Sequence, residues 1–160
     1  MKHGLIWLLI PLVAATGALA IAVWPTGESD QDGATEMVVY KTPTCGCCDY
    51  WVDHVRDAGF TVTAHDISHA ELNQKKREGG LGYGMASCHT AFIEGYTIEG
   101  HVPAAEIRRL LEQQPDVAGL TVPGMPIGSP GMEQGDRQDA YEVLSFQRDG
   151  RTEIFAEYPQ

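Results

Sequence analysis

Apolar positions are distributed in three ways along the chain. They run almost without interruption from Gly4 to Trp24, become sparse from Pro25 to Thr35, and from Met37 onward recur with strand or helix spacing. Met37-Val-Val-Tyr40 predicts a short buried strand, and Thr42-Pro43-Thr44 predicts a turn after it. A helix is expected from about Cys48 to Ala58. Trp51, Val52, Val55 and Ala58 form its apolar stripe, while Asp49, Asp53, Arg56 and Asp57 take the wet side. Gly59 stops it. Phe60 to Ile67 alternates, with Phe60, Val62 and Ala64 on one face, and reads as a second strand. Residues 69–78 make a polar helix that Gly79-Gly80 break. Thr90–Glu94 and Tyr96–Gly100 pair as a hairpin about Glu94-Gly95. Pro103 then opens a helix with Ile107, Leu110 and Leu111 as its apolar face, and Pro115 ends that region.

Beyond Pro115, the segment Val122–Met132 holds three Pro and three Gly in eleven residues, which excludes regular helix and central strand and leaves a shaped loop. Tyr141–Gln147 and Thr152–Tyr158 flank a polar turn and predict a closing β-hairpin. Strand, helix, strand, helix, hairpin, helix is the order of a thioredoxin-like α/β domain. Residues 37–160 are therefore expected to form one such domain, extended by the Gly/Pro loop and the C-terminal hairpin.

The leader obeys other rules. Residues 1–24 carry an uncharged run that predicts an N-terminal apolar helix serving export. Two readings stay open. Ala18-Leu19-Ala20 has the small-x-small pattern of a signal-peptide cleavage site, whereas the run to Trp24 is long enough for a retained membrane anchor. Either places residues 37–160 on the far side of the membrane, touching it only through the N-terminal segment. Residues 25–36 read as a flexible linker.

Composition narrows the function. The chain has 160 residues, 43% hydrophobic and 21% charged, and a formal charge of -11. One domain with an appendage is expected. Nucleic acid is excluded as a partner, because binding it requires cations to neutralise phosphates. A polybasic lipid-binding surface is excluded on the same ground.

Four cysteines carry the candidate chemistry. Cys45, Cys47 and Cys48 sit where the first strand gives way to the first helix, and helix amino ends stabilise thiolates. Cys88 precedes the third strand, which in this fold lies beside that helix end, so it is expected to join the other three. A structural disulfide framework fits poorly with three cysteines in four residues. A Cys45/Cys48 thiol-disulfide oxidoreductase remains an alternative, although Cys47 and Cys88 offer dead-end partners and Cys88-His89 stands where such enzymes keep a proline. A metal-thiolate site is the third reading. Soft sulfur selects Cu(I), and four thiolates exceed what one Cu(I) needs, which is compatible with sulfur bridging several ions. Zinc suits four thiolates, but its structural sites use two Cys-x-x-Cys knuckles and this chain has one.

The runs Tyr40–Cys48, Ser87–Thr90, Glu99–Pro103 and Val122–Glu133 together resemble the CopG family of bacterial copper-resistance proteins, which are exported, thioredoxin-like and metal-binding. The resemblance implies copper handling in the periplasm alongside copper efflux or other periplasmic copper proteins. It also implies Cys45, Cys47, Cys48 and Cys88 as metal ligands, a copper cofactor held as Cu(I), and interconversion of copper oxidation states. A passive copper chaperone or sponge is the other outcome to weigh. His89, His101, Met125 and Met132 are secondary ligand candidates: two imidazoles flank the motifs, and two thioethers sit on the Gly/Pro loop. Met85 is weaker still. Trp51 is expected in the core, and His54, His65 and His69 at the surface.

Overall fold

The computed structural model describes residues 36–159. The leader expected over residues 1–24, and the linker apart from its last residue, lie outside the described residues. Among the described residues, no helix is long and apolar enough to cross a membrane.

Among the described residues ten elements follow one another: β1 (Glu36–Lys41), α1 (Gly46–Asp57), β2 (Thr61–Asp66), α2 (His69–Glu78), β3 (Thr90–Ile93), β4 (Tyr96–Glu99), α3 (Ala104–Gln113), β5 (Gly119–Thr121), β6 (Tyr141–Phe146) and β7 (Thr152–Tyr158). All seven strands join one mixed sheet in the order β2-β1-β3-β4-β5-β6-β7. β1 runs parallel to β2 and antiparallel to β3, and β3 and β4 form the expected hairpin. β4 and β5 are parallel, joined through α3, and β5, β6 and β7 continue antiparallel.

The core explains the arrangement. Trp51, Val52 and Val55 of α1 and Ile107 and Leu110 of α3 are buried in one cluster with Met37, Val39, Ala91, Ile98 and Leu120 of the sheet. Trp51 is fully buried and donates its Nε1–H to the Val102 carbonyl at 2.8 Å, so its polar atom is satisfied. Truncating such a residue to Ala costs about 3–5 kcal/mol. α2 starts with a capping box, Ser68 and Glu71 exchanging side-chain to backbone hydrogen bonds, and turns Leu72 and Lys76 inward.

Several elements depart from expectation. β1 takes in Glu36, one residue assigned to the linker. α1 begins at Gly46, earlier than the apolar stripe implied, because its first turn is made by the cysteines themselves. Ala64 is exposed: β2 is an edge strand, paired only with β1. β5 was not anticipated. It has only three residues, too few for a periodic signal, yet it is fully buried between β4 and β6.

Candidate metal centre

Backbone geometry sets the first wall of the site. After β1 the chain turns so that Cys45 N–H donates to the Thr42 carbonyl at 3.1 Å and Cys48 N–H donates to the Cys45 carbonyl at 3.2 Å. Cys45 is the N-cap of α1, and no side chain caps that end. The positive end of the helix therefore lies at the sulfurs without a competing side-chain acceptor. Lys41, at the end of β1, pairs with Asp49 at 2.9 Å and Asp66 at 2.7 Å, tying the first turn of α1 to β2.

Cys88 arrives from the segment before β3. The sulfurs of Cys45, Cys47, Cys48 and Cys88 all lie within 4.8 Å of one another, so the predicted convergence of two distant segments is present. Cys48 is buried and the other three are partly exposed. Their state differs from the expected four thiols. Cys45 and Cys48 are joined in a disulfide, while Cys47 and Cys88 are free. The reason is local: residues one helical turn apart put these Cα atoms 5.4 Å from each other, inside the range a disulfide spans.

The second wall is imidazole. Cys88 Sγ lies 3.3 Å from His89 Nδ1 and 3.1 Å from His101 Nε2, and these three residues form a second group with metal-ligand spacing. His101 Nδ1 sits 2.8 Å from the Pro130 carbonyl, an atom that only accepts, so the ring proton is at Nδ1 and the Nε2 lone pair faces Cys88. A backbone carbonyl holding the other ring nitrogen in this way orients a metal-binding histidine. His89 is fully buried between Trp51, at 4.3 Å between ring centroids, and His101, at 5.1 Å. Its Nε2 has no hydrogen-bond partner among the described residues.

Burial holds both rings neutral. The pKa of His89 lies well below the ordinary value, first from desolvation and then from the nearby His101 and Lys76. His101 is lowered by burial as well, against the opposing pull of the Pro130 carbonyl and Glu133. Burial, aided by the neighbouring Cys47, pushes the Cys88 thiol up to about 12. A soft cation would relieve that penalty by replacing the proton.

Beneath Cys88 lies a charged anchor that the sequence pattern did not single out. Glu99 is fully buried and accepts from Lys76 Nζ, from Thr90 Oγ1 at 2.6 Å and from the Ser87 backbone N–H at 2.6 Å. Burial raises the Glu99 pKa, although Lys76 and the hydrogen bonds oppose it. A readable hint existed. Lys76 falls four residues after Leu72 on the inward face of an otherwise polar helix, and a buried lysine needs a carboxylate.

The Gly/Pro loop closes the outer side. Met125, 52% exposed, and the half-buried Met132 line an open cavity of about 580 Å³ with Cys47, Tyr50 and Glu133. Gly131 (φ +83°) presses this loop against α1. A Cβ there would lie 2.7 Å from the Trp51 nitrogen and 2.8 Å from the Cys47 carbonyl oxygen. Met85 packs elsewhere, with Ala118 and Phe146. His54 is not the surface residue expected. It is half-buried, and its Nε2 accepts the Ala104 N–H at 3.0 Å, serving as cap acceptor for α3, whose own N-cap Pro103 supplies none.

The donor set fits a soft metal. The free thiols of Cys47 and Cys88 with the two neutral imidazoles, joined by Cys45 and Cys48 when their disulfide is reduced, suit copper or another thiophilic ion better than a hard cation.

Comparison with known proteins agrees in kind. The family described as "Protein of unknown function, DUF411" matches residues 85–132, the stretch from Met85 to Met132 that carries Cys88, both histidines and the Gly/Pro loop. No curated protein matches. Two solved structures, titled "Copper resistance protein copG" in Form 1 and Form 2, superpose with TM-scores of 0.74 and 0.73 at 46% and 47% identity. They cover 79% and 78% of this chain, and the chain covers 99% and 98% of them.

Proposed function

The chain belongs to the CopG family of copper resistance proteins, and from that premise we propose that it binds copper as Cu(I) at Cys45, Cys47, Cys48 and Cys88 once all four are reduced. One observation carries the reading: sulfurs from two chain segments lie within 4.8 Å of one another. Sulfur bridging lets such a set hold more than one ion. His101 and His89 back the site from within, and Met125 and Met132 sit at its outer mouth, where thioethers can pass Cu(I) inward. The protein acts in the periplasm, delivered by the apolar segment at residues 4–24, and takes copper from, or gives it to, efflux and other copper proteins there. The acidic surface implied by a net charge of -11 favours cations and basic partners. The thioredoxin-like reading is supported by the order β2-β1-β3-β4, with β1 and β2 parallel and the cysteines at the start of α1.

Metal analysis tests the proposal. Fully reduced protein, loaded anaerobically with Cu(I) and desalted, retains copper, and Cys88→Ala retains markedly less because it removes the one sulfur supplied from outside the α1 loop. Undiminished loading of Cys88→Ala takes that residue out of the site. A second reading, dithiol oxidoreductase, is favoured by the Cys45–Cys48 disulfide. Rapid turnover of a protein disulfide substrate, together with sub-stoichiometric copper, decides for it.

A further inference from the structure

We propose that a groove at the open end of the β6–β7 hairpin docks an extended, proline-containing segment of a partner protein that carries arginine or lysine. The cavity there, about 860 Å³, is larger than the one beside Cys47 and shares no lining residue with it. Its walls include Pro123, Pro126, Tyr141, Glu142, Glu157 and Tyr158. Copper binding is not needed for this docking, so either can fail without the other.

Strand register builds the groove. Antiparallel pairing sets Tyr141 opposite Tyr158 and Glu142 opposite Glu157. The tyrosine rings stack at 4.7 Å with 2° between their planes, and the Tyr158 hydroxyl donates to Glu106 Oε1 at 2.9 Å, holding the pair against α3. Burial pushes the Tyr141 phenol up to about 12 and raises that of Tyr158, so both rings stay neutral and the groove's charge comes from its two glutamates. Strand alternation sends the two pairs to opposite faces, and the cavity reaches both because Ala140 and Pro159 mark where the strands leave the sheet. The facing wall is fixed as well. Asp139 accepts the Ile127 N–H at 3.2 Å and donates its own N–H to the Ile127 carbonyl at 2.9 Å, tying the Gly/Pro loop to the start of the hairpin.

Charge selects the occupant. Glu142 and Glu157 are exposed, and neither forms an ion pair among the described residues. Like charges directly opposite each other destabilise a sheet, and a cation from outside relieves that repulsion. Aromatic-lined grooves hold extended proline-rich segments, and a guanidinium stacks on tyrosine while pairing with a carboxylate. The chain's own residues 25–35 do not match, having three acids and no lysine or arginine. A second copy, with a net charge of -11, is repelled. Position gives the docking a consequence. Glu99, Thr121 and Leu144 lie side by side in β4, β5 and β6, which puts the groove at the same end of the sheet as Cys88. Pro123 and Pro126 line the groove, while Met125 between them lines the cavity beside Cys47. A docked segment therefore touches the loop that closes the metal centre.

The test uses the full chain and a short fluorescein-labelled peptide of alternating arginine and proline, read by fluorescence anisotropy, with an alternating glutamate and proline peptide for comparison. The basic peptide should bind, should weaken as sodium chloride screens the glutamates, and should shift the ring resonances of Tyr141 and Tyr158. The acidic peptide should not bind. Glu142→Gln combined with Glu157→Gln should weaken binding about tenfold. That variant should melt no lower than wild type, since the opposed charges are gone. Glu36→Gln combined with Glu94→Gln removes the same charge at the opposite end of the sheet and should leave affinity within about twofold. Equal weakening by the two pairs of substitutions, equal binding of the acidic peptide, or no binding of the basic one overturns the proposal. So does displacement by calcium chloride far beyond that by sodium chloride of equal ionic strength, which would make the groove a site for a metal cation. A dimer in light scattering that the basic peptide dissociates would give the groove to a second copy instead.

Discussion

Cys45, Cys47 and Cys48 reach the site from one stretch at the head of α1, whereas Cys88, His89 and His101 come from two segments that meet only because β3 and β4 pair. The first wall is held by local helix geometry and can trade sulfur partners within a turn. The second is fixed by buried charge, with Glu99 gripping Lys76, Thr90 and the Ser87 backbone under Cys88. The first wall thus depends on contacts within one helical turn, whereas the second depends on contacts between a helix and two strands.

Removing the anchor should separate the walls most strongly. Glu99→Ala leaves Lys76 buried without its carboxylate and frees the Ser87 N–H. Breaking one side of a buried ion pair costs about 3–5 kcal/mol, so urea unfolding should show a loss of that size. Glu99→Gln, which keeps the shape and an acceptor oxygen, should lose less. If Glu99→Ala unfolds like wild type, the second wall is not anchored as described.

Gly131 tests how tightly the outer loop clamps the first wall. An added Cβ meets the backbone of Trp51 and Cys47 and must also adopt a positive φ, so Gly131→Ala should cost about 1–3 kcal/mol. Thermal unfolding measures it. Gly135→Ala, also at positive φ but with open space around it, should cost less, and equal losses would remove the clamp from the comparison.

What the sequence made legible divides along the same line. The α1 cysteines, the hairpin of β3 and β4 and the Gly/Pro loop each announce themselves within a dozen residues, because turn chemistry, helix starts and Cys spacing are local signals. The place of Cys88 was legible through fold order, a longer-range inference. The Lys76–Glu99 anchor was legible only as a hint, since an inward-facing Lys76 calls for a carboxylate but its partner lies 23 residues away on a strand. β5 escaped because three buried residues show no period, and His54 because its role depends on where α3 begins in space. The oxidation state of Cys45 and Cys48 is not a pattern of residues at all.

His54 links α1, which carries the first wall, to the start of α3, and its effect depends on pH. Burial lowers its pKa, outweighing Glu133 and Asp57, which raise it. The unfolded chain therefore takes up this proton first, and protonation of Nε2 removes the acceptor for Ala104 N–H. The stabilisation is full above the unfolded value of about 6.5 and is lost as pH falls through the lower folded value. His54→Ala should cost about 1 kcal/mol at pH 8, a typical cap loss. The difference from wild type should shrink toward pH 5 in parallel urea titrations. A difference that stays constant with pH would show that His54 acts by packing alone.

Met125 should give the smallest effect, and it tests the mouth rather than either wall. The side chain is more exposed than buried and touches the cavity beside Cys47, so Met125→Leu keeps volume and hydrophobicity while deleting the sulfur. Volume-conserving swaps usually cost under about 1.5 kcal/mol even in cores, and here the melting temperature should scarcely move. Copper capacity should also hold, because the four cysteine sulfurs remain. Only the rate of Cu(I) uptake from a competing chelator should fall, by a few-fold, since a thioether at the entrance lets the ion pass from ligand to ligand without shedding all its sulfur partners at once. Met132→Leu, nearer the protein on the same cavity, should slow uptake in the same way. An unchanged rate in both variants would mean that copper reaches Cys47 directly, making the loop a cover for the first wall rather than a path to it.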